Sequence, residues 1–281
     1  MHVPPRALIR SLFLLSSAFL SQSLQARDSF IDRWQARATD AQATQPHWIT
    51  PLSTTSPRLE QSFRSDFVRQ ITSARTTTWN YGNTKGLEVI PLKQLELSVS
   101  VPAYIQHNST AKDGFGDTAF LVKYRVLSAN EERGNYIVTA FIGGSIPTGS
   151  YKNGSAAATV TPTLALGKGF GRFDVMSTAG AALPATNAKT LGRPIVWNTT
   201  LQFKLGKYLW PEVEFNATYF KGGVNDGRIQ NFVTSGIVLG RFRFSESHQR
   251  LRATCGFGEQ IATSAFHNTN HNLLFTSKIS F

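Results

Sequence analysis

The chain has 281 residues, a formal net charge of +12, 41% apolar residues and one cysteine. That length admits one large domain or two small ones, and a lone Cys255 excludes the disulfide-stapled secreted class. The positive charge raises nucleic acid as a partner, but the basic residues are scattered and phosphate binding needs a clustered patch, so no nucleic-acid partner is expected. The apolar share lies below the usual globular range. A transmembrane barrel tolerates that deficit because it needs apolar side chains only on its outer face. Twenty Phe and seven Tyr against two Met suit a β-rich membrane protein better than a helical core.

Residues 1–26 read as a secretory signal peptide. Arg6 and Arg10 supply the positive start, and Ser11 to Leu20 is an apolar stretch too short to cross a bilayer as a helix. Cleavage after Ala26 or after Ser23 is expected; either removes two Arg and no acid, so the mature charge is 12 − 2 = +10. Residues 27–57 form a separate N-terminal segment. Phe30, Ile31, Trp34 and Ala38 recur at helical spacing with charges between them, Asp28 or Ser29 can cap the start, and Pro46 stops the helix. The spacing predicts a short amphipathic helix that covers the periplasmic mouth of a barrel, enters its lumen as a plug, or lies on the membrane surface.

Residues 58–281 carry the strand signal, with the inside–outside alternation reading clearly from Leu59 onward. Segments of ~10 residues with weak alternation, separated by turn residues, are the pattern of membrane barrels. Charged and polar residues hold one parity while apolar residues hold the other. Glu60, Arg64 and Asp66 oppose Leu59, Phe63 and Phe67, and Glu96 opposes Leu95 and Leu97. Lys123 and Arg125 oppose Phe120, Val122 and Tyr124, and Lys204 opposes Phe203 and Leu205. Glu212 and Glu214 oppose Val213 and Phe215, and Arg250 and Arg252 oppose Leu251 and Ala253. In the last segment Lys278 and Thr276 oppose Phe275, Ile279 and the terminal aromatic Phe281. Alternate strand residues face opposite sides. The interior set, completed by Asp174, is therefore the candidate lumen lining, either wetted or crossed by ion pairs, since buried charges demand partners.

Twelve segments are expected, at about 58–69, 80–91, 94–106, 117–128, 135–147, 157–168, 171–183, 195–206, 209–220, 229–240, 250–263 and 270–281. Short connections at one end and mostly longer, Gly/Asn/Lys/Thr-rich ones at the other give the asymmetry of outer-membrane barrels, with the short side periplasmic. The fold class is thus an all-β, antiparallel transmembrane outer-membrane β-barrel with a short N-terminal helix.

Motifs for other chemistry are weak. Gly167-Lys168-Gly169-Phe170-Gly171 precedes a strand, not the helix a phosphate loop requires, and reads as a tight hairpin turn. His267 and His271 are four apart in a loop and strand start, which does not make a metal site. Gly-x-Ser-x-Gly is absent, so no catalytic, cofactor-binding or metal residue is assigned and no cofactor is expected.

Several stretches resemble a family of Gram-negative outer-membrane barrels associated with the meta-pathway of phenol degradation. They are Asp113-Gly114-Phe115-Gly116-Asp117 before Lys123-Tyr124-Arg125, Ile146-Pro147-Thr148-Gly149-Ser150, Gly167 to Phe173, and Asn225-Asp226-Gly227. Phe30 to Arg37 and Leu191 to Asn198 resemble one branch of it. The resemblance implies a barrel and passage of aromatic compounds, and it supplies no residue-level site. The expected function is an outer-membrane channel or transporter for small, aromatic or hydrophobic solutes. The alternatives are a rim-sited lipid hydrolase or acyltransferase, and a barrel that transports nothing. Expected partners are outer-membrane lipid, the solute, and the barrel-assembly machinery, which would read the last strand ending in Phe281.

Overall fold

The computed structural model describes residues 30–83, 85–244 and 251–281. The signal peptide, the Asp28 or Ser29 cap and Arg250 lie outside the described residues.

The chain forms a closed antiparallel barrel of twelve strands. In order they are β1 (Ser62–Thr72), β2 (Thr77–Gly82, resuming at Gly86–Leu92) and β3 (Leu95–Ser100, resuming at Tyr104–His107). Then come β4 (Gly114–Phe115, resuming at Thr118–Ala129), β5 (Tyr136–Ile146), β6 (Thr159–Phe170) and β7 (Phe173–Ala181, with Leu183–Pro184). The wall is completed by β8 (Ile195–Phe203), β9 (Leu209–Tyr219), β10 (Ile229–Arg243), β11 (Arg252–Ala262) and β12 (Thr269–Ser280). Each strand pairs with its sequence neighbour, and β12 returns to β1 with Ser62 opposite Ser280 and Phe67 opposite Phe275. Closure removes both sheet edges, the condition for backbone to cross hydrocarbon with its polar groups satisfied.

The side-chain distribution is inverted relative to a water-soluble protein. On β12, Thr276 and Lys278 point inward and are buried, whereas Phe275 and Ile279 point outward at 45% and 44% exposure. On β9, Glu212 and Glu214 are buried and Val213 is about half exposed. Only a hydrocarbon solvent makes such an outer face favourable. No described helix is long and apolar enough to cross a membrane, so the crossing is made by strands.

Helix α1 (residues 30–43) lies across the short-turn mouth. Its Trp34 Nε1 donates to Ile90 O at 3.0 Å, and Arg37 donates to Pro91 O. Ala38 and Ala41 pack with Ile90 and Leu59. A second, four-residue helix α2 (Ala188–Leu191) sits in the outer loop between β7 and β8.

Two expectations need correction. The first strand begins at Ser62 rather than residue 58. Leu59, expected on the lipid face, is fully buried under α1, because residues 58–61 belong to a segment inside the barrel. The glycine-rich run at 167–171 was expected to be a turn. Instead β6 continues to Phe170 and only Gly171 (φ 63°) turns the chain. Gly167 and Gly169 are strand residues that leave room: a Cβ on Gly167 would stand 2.5 Å from the Trp48 ring, and one on Gly169 2.5 Å from Asn135 Cγ.

The plugged lumen as candidate functional site

Between α1 and β1, residues 44–61 run up into the barrel and back down. Pro46, Pro51 and Pro57 keep this stretch out of helix and strand ladder, so its backbone groups must find partners on the wall. At the base the two limbs are clamped together. Gln45 Nε2 donates to Leu59 O at 2.8 Å, and Leu59 N donates to Gln45 Oε1 at 2.9 Å. Arg58 reaches from the descending limb to Pro46 O at 2.7 Å and to Trp48 O.

The tip is strung between two walls. Leu52 N donates to Glu212 Oε1 at 2.8 Å, Ser53 N to Glu214 Oε1 at 2.7 Å, and Thr54 N to Glu214 Oε2 at 2.6 Å. From β1, Arg64 donates to Pro51 O at 3.0 Å and Leu52 O at 2.6 Å, while Asp66 holds its guanidinium at 2.8 Å. Carboxylates thus take the N–H groups and a guanidinium takes the carbonyls. The apolar counterpart is Leu52 itself, buried with Ile49, Trp210 and Val238. It lies against wall glycines on β10 and β11; a Cβ on Gly256 would stand 2.7 Å from Leu52 Cδ2.

The descending limb is held by a second charged group. Glu96 and Lys123 pair at 3.0 Å across β3 and β4; Glu96 accepts from Glu60 N at 2.5 Å, and Lys123 donates to Arg58 O at 3.2 Å. Lys278 closes on Glu60 and Thr50, and Thr50 Oγ1 also donates to Glu60 Oε1 at 2.7 Å. Arg125 donates to Ala41 O at 2.5 Å and so ties α1 to the same wall.

The candidate lining residues therefore distribute as follows. Glu60, Arg64, Asp66, Glu96, Lys123, Arg125, Asp174, Glu212, Glu214 and Lys278 are buried inside the barrel. Asp174 faces the charges of Arg58 and Arg241. Arg252 is half-buried at the short-turn mouth, and Lys204 is exposed at its rim with Nζ 5.6 Å from the Trp210 ring centroid. Arg58 and Arg241 were missed. Arg58 precedes the regular alternation, and Arg241 stood in a presumed turn. A bulge with φ 65° at Arg241 extends β10 and turns the guanidinium inward to Trp48 O at 2.5 Å. Inward polarity alone carried no signal for either.

Three cavities stand in series beside the plug. The lowest, about 240 Å³ at the short-turn mouth, is lined by His47, Arg241 and Arg252 among others. The middle one, about 180 Å³, includes Lys85, Glu88 and Ser98. The upper one, about 230 Å³, lies between the plug and β4 to β8. Thr50 and Glu60 separate the first from the second, and Thr55 and Leu121 the second from the third.

A family model described as "Putative MetA-pathway of phenol degradation" matches residues 39–236, more than half of the chain and all of the plug. The chain belongs to this family. The turn stretches that carry the resemblance work here as clamps between outer loops: Asp117 accepts from Gly149 N at 2.9 Å and Ser155 N at 2.6 Å, and Ser150 Oγ accepts from Phe115 N at 2.9 Å. Among solved structures, the COG4313 outer membrane channel from Pseudomonas putida F1 aligns at TM-score 0.58 and 13% identity, over 83% of this chain and 100% of that one. The NanC porin aligns at TM-score 0.50 and 7% identity, over 79% and 98%. At such identities the likeness concerns the fold. No curated protein sequence matches the chain.

Among the described residues, the other histidines have local partners. His267 meets Ser264 O at 2.8 Å and Asn270 Oδ1 at 2.7 Å, His271 lies 2.6 Å from Glu259, and His107 Nε2 lies 2.7 Å from Asn153 Oδ1.

Proposed function

We propose that this protein is an outer-membrane channel for small solutes, not an enzyme, and that displacement of the 44–61 plug opens it. The supporting observation is the series of cavities along the plug, each separated from the next by a few plug and wall side chains. Thr50, Glu60 and Thr55, which belong to the plug, are among the side chains shared by adjoining cavities, so displacing the plug moves them out of the way together. The plug is a docked segment, held largely through hydrogen bonds to its backbone, so its release leaves the barrel ladder intact. The related channel and porin folds agree with this reading, as does the family's association with phenol degradation, which points to uncharged aromatic solutes. The short-turn mouth faces the periplasm. Residues 1–26 deliver the chain by export, and the strand ending at Phe281 is what the assembly machinery reads.

Solute flux into liposomes carrying the full-length protein tests the proposal. Measurable uptake of small uncharged solutes supports it. A closed barrel before and after loosening of the plug would instead support the non-transporting reading that the plugged lumen also favours.

A further inference from the structure

At the short-turn mouth, plug and wall meet through two like charges. Arg58 of the descending limb and Arg241 of β10 both line the lowest cavity, and both donate to one acceptor, Trp48 O. A carbonyl oxygen has two lone pairs, so these bonds use it up. Each guanidinium carries five N–H donors. Arg58 spends others on Pro46 O at 2.7 Å and Glu60 at 3.3 Å. Among the described residues, Arg58 Nη2 and Arg241 Nε and Nη1 meet no acceptor. The neighbouring acids are engaged elsewhere. Glu60 accepts from Lys278 and Thr50, Glu131 is held by His47, and the carboxyl end of the chain at Phe281 accepts from Gln61 Nε2 at 3.2 Å. Asp174 faces both guanidiniums but does not line the cavity. Arg252 and Lys278 add two more cations to the lining. Arg241 reaches its place only through the bulge at φ 65°, a conformation unfavourable for a residue with a Cβ and kept where the surroundings impose it.

We propose that this cavity binds a compact oxyanion, a phosphate or carboxylate group, which bridges Arg58 and Arg241 and locks the plug to the wall. The inference goes beyond the channel reading, because it concerns a ligand that acts on the plug and not the solute that passes. A guanidinium presents parallel N–H donors that fit two oxygens of one oxyanion, and the unmatched donors lie on both partners. At about 240 Å³ the cavity is several times the roughly 30 Å³ that one water occupies in the liquid, so a compact ion fits. The bound anion replaces a repulsion between plug and wall with two attractions. A ligand that binds the docked arrangement and not the released one shifts the population toward docking. Occupancy therefore holds the barrel shut from the short-turn side.

Isothermal titration of the full-length protein with inorganic phosphate and with acetate, at constant ionic strength set by chloride, tests the site. Protease cleavage within residues 44–61 is timed in the same solutions. Saturable binding of an oxyanion is expected, with cleavage slowed several-fold at saturation, and the tighter probe tells phosphate from carboxylate. Arg241→Gln removes the wall partner. It is expected to weaken binding at least about tenfold, the scale of one lost charge-assisted contact, and to abolish the protection. Should that variant not fold, Arg241→Lys, which keeps the charge and loses the fork, is expected to weaken binding several-fold. No saturable binding beyond that of chloride, unchanged binding in the variant that folds, or binding that leaves cleavage unaltered overturns the proposal. Conductance is read separately. Protection by the oxyanion in a barrel that never conducts keeps the bridge and removes the channel, and conduction indifferent to the oxyanion removes the bridge alone.

Discussion

Glu214 offers the sharpest perturbation of the plug. Its two oxygens accept from Ser53 N at 2.7 Å, Thr54 N at 2.6 Å and Thr200 Oγ1 at 3.2 Å, with the side chain fully buried. Glu214→Gln keeps the shape but replaces one acceptor with an NH2 donor, which then faces a backbone N–H. One charge-assisted bond is lost and one buried donor is left without a partner, each costing about 1–3 kcal/mol. Part of that cost falls on the barrel itself through Thr200. Taking about 2 kcal/mol as the share that separates docked from released plug, the released population rises roughly 30-fold, since about 1.4 kcal/mol is a factor of ten. Single-channel recording in planar bilayers reads this directly as open time. Thermal unfolding of the same preparation reports how much the barrel was weakened. An open probability equal to wild type, alongside a clearly lowered unfolding temperature, would show that Glu214 supports the wall and that plug docking does not control conduction.

Leu52→Ala removes the apolar anchor beside Gly236, Gly256 and Gly258. At about 2–5 kcal/mol for a buried leucine it should raise conductance and expose residues 44–61 to added protease; unaltered cleavage would argue against a docked segment. Phe257→Arg places a charge on the lipid face, where Phe257 is about half exposed and packs on Phe275 at 4.9 Å. Folding into lipid vesicles, followed by urea titration, should show a loss of about 2–4 kcal/mol, whereas a neutral result would place that face out of hydrocarbon. At the short-turn mouth, His47 N and Nδ1 bond Glu131 at 2.6 and 2.8 Å. Partial burial raises the Glu131 pKa, but these hydrogen bonds outweigh it and hold the carboxyl below its ordinary 4.5. Because the folded value is the lower one, the contact contributes fully above pH 4.5 and is lost as pH falls below it through the folded value. Protease access to the plug base should therefore rise in acid, and Glu131→Gln should abolish that rise.

Much of the barrel could be read from local pattern. The twelve segments, the short and long ends and the helix before the first strand all follow from rules spanning fewer than about a dozen residues. The misreadings have physical causes. Leu59 follows the alternation of β1 but precedes the ladder, so its parity had no sheet to act on. Gly167 and Gly169 look like turn residues because glycine commonly supplies positive φ, yet here they make space for Trp48 and Asn135. Arg241 was placed in a turn because a bulge in an unbroken strand leaves no mark in composition.

The alternation of apolar and polar residues settled by itself that the chain makes strands with two unlike faces, and the order of turns settled how those strands connect. What fills the barrel was decided only in three dimensions. Leu52 and Glu212 are 160 residues apart, and Thr50 and Lys278 are 228 apart. The 44–61 stretch has no period of its own and draws its conformation from the wall that surrounds it. Interior charges without visible partners in one dimension meet the backbone of a folded-in segment in the structure, because a buried charge has to be compensated wherever the chain can supply the group.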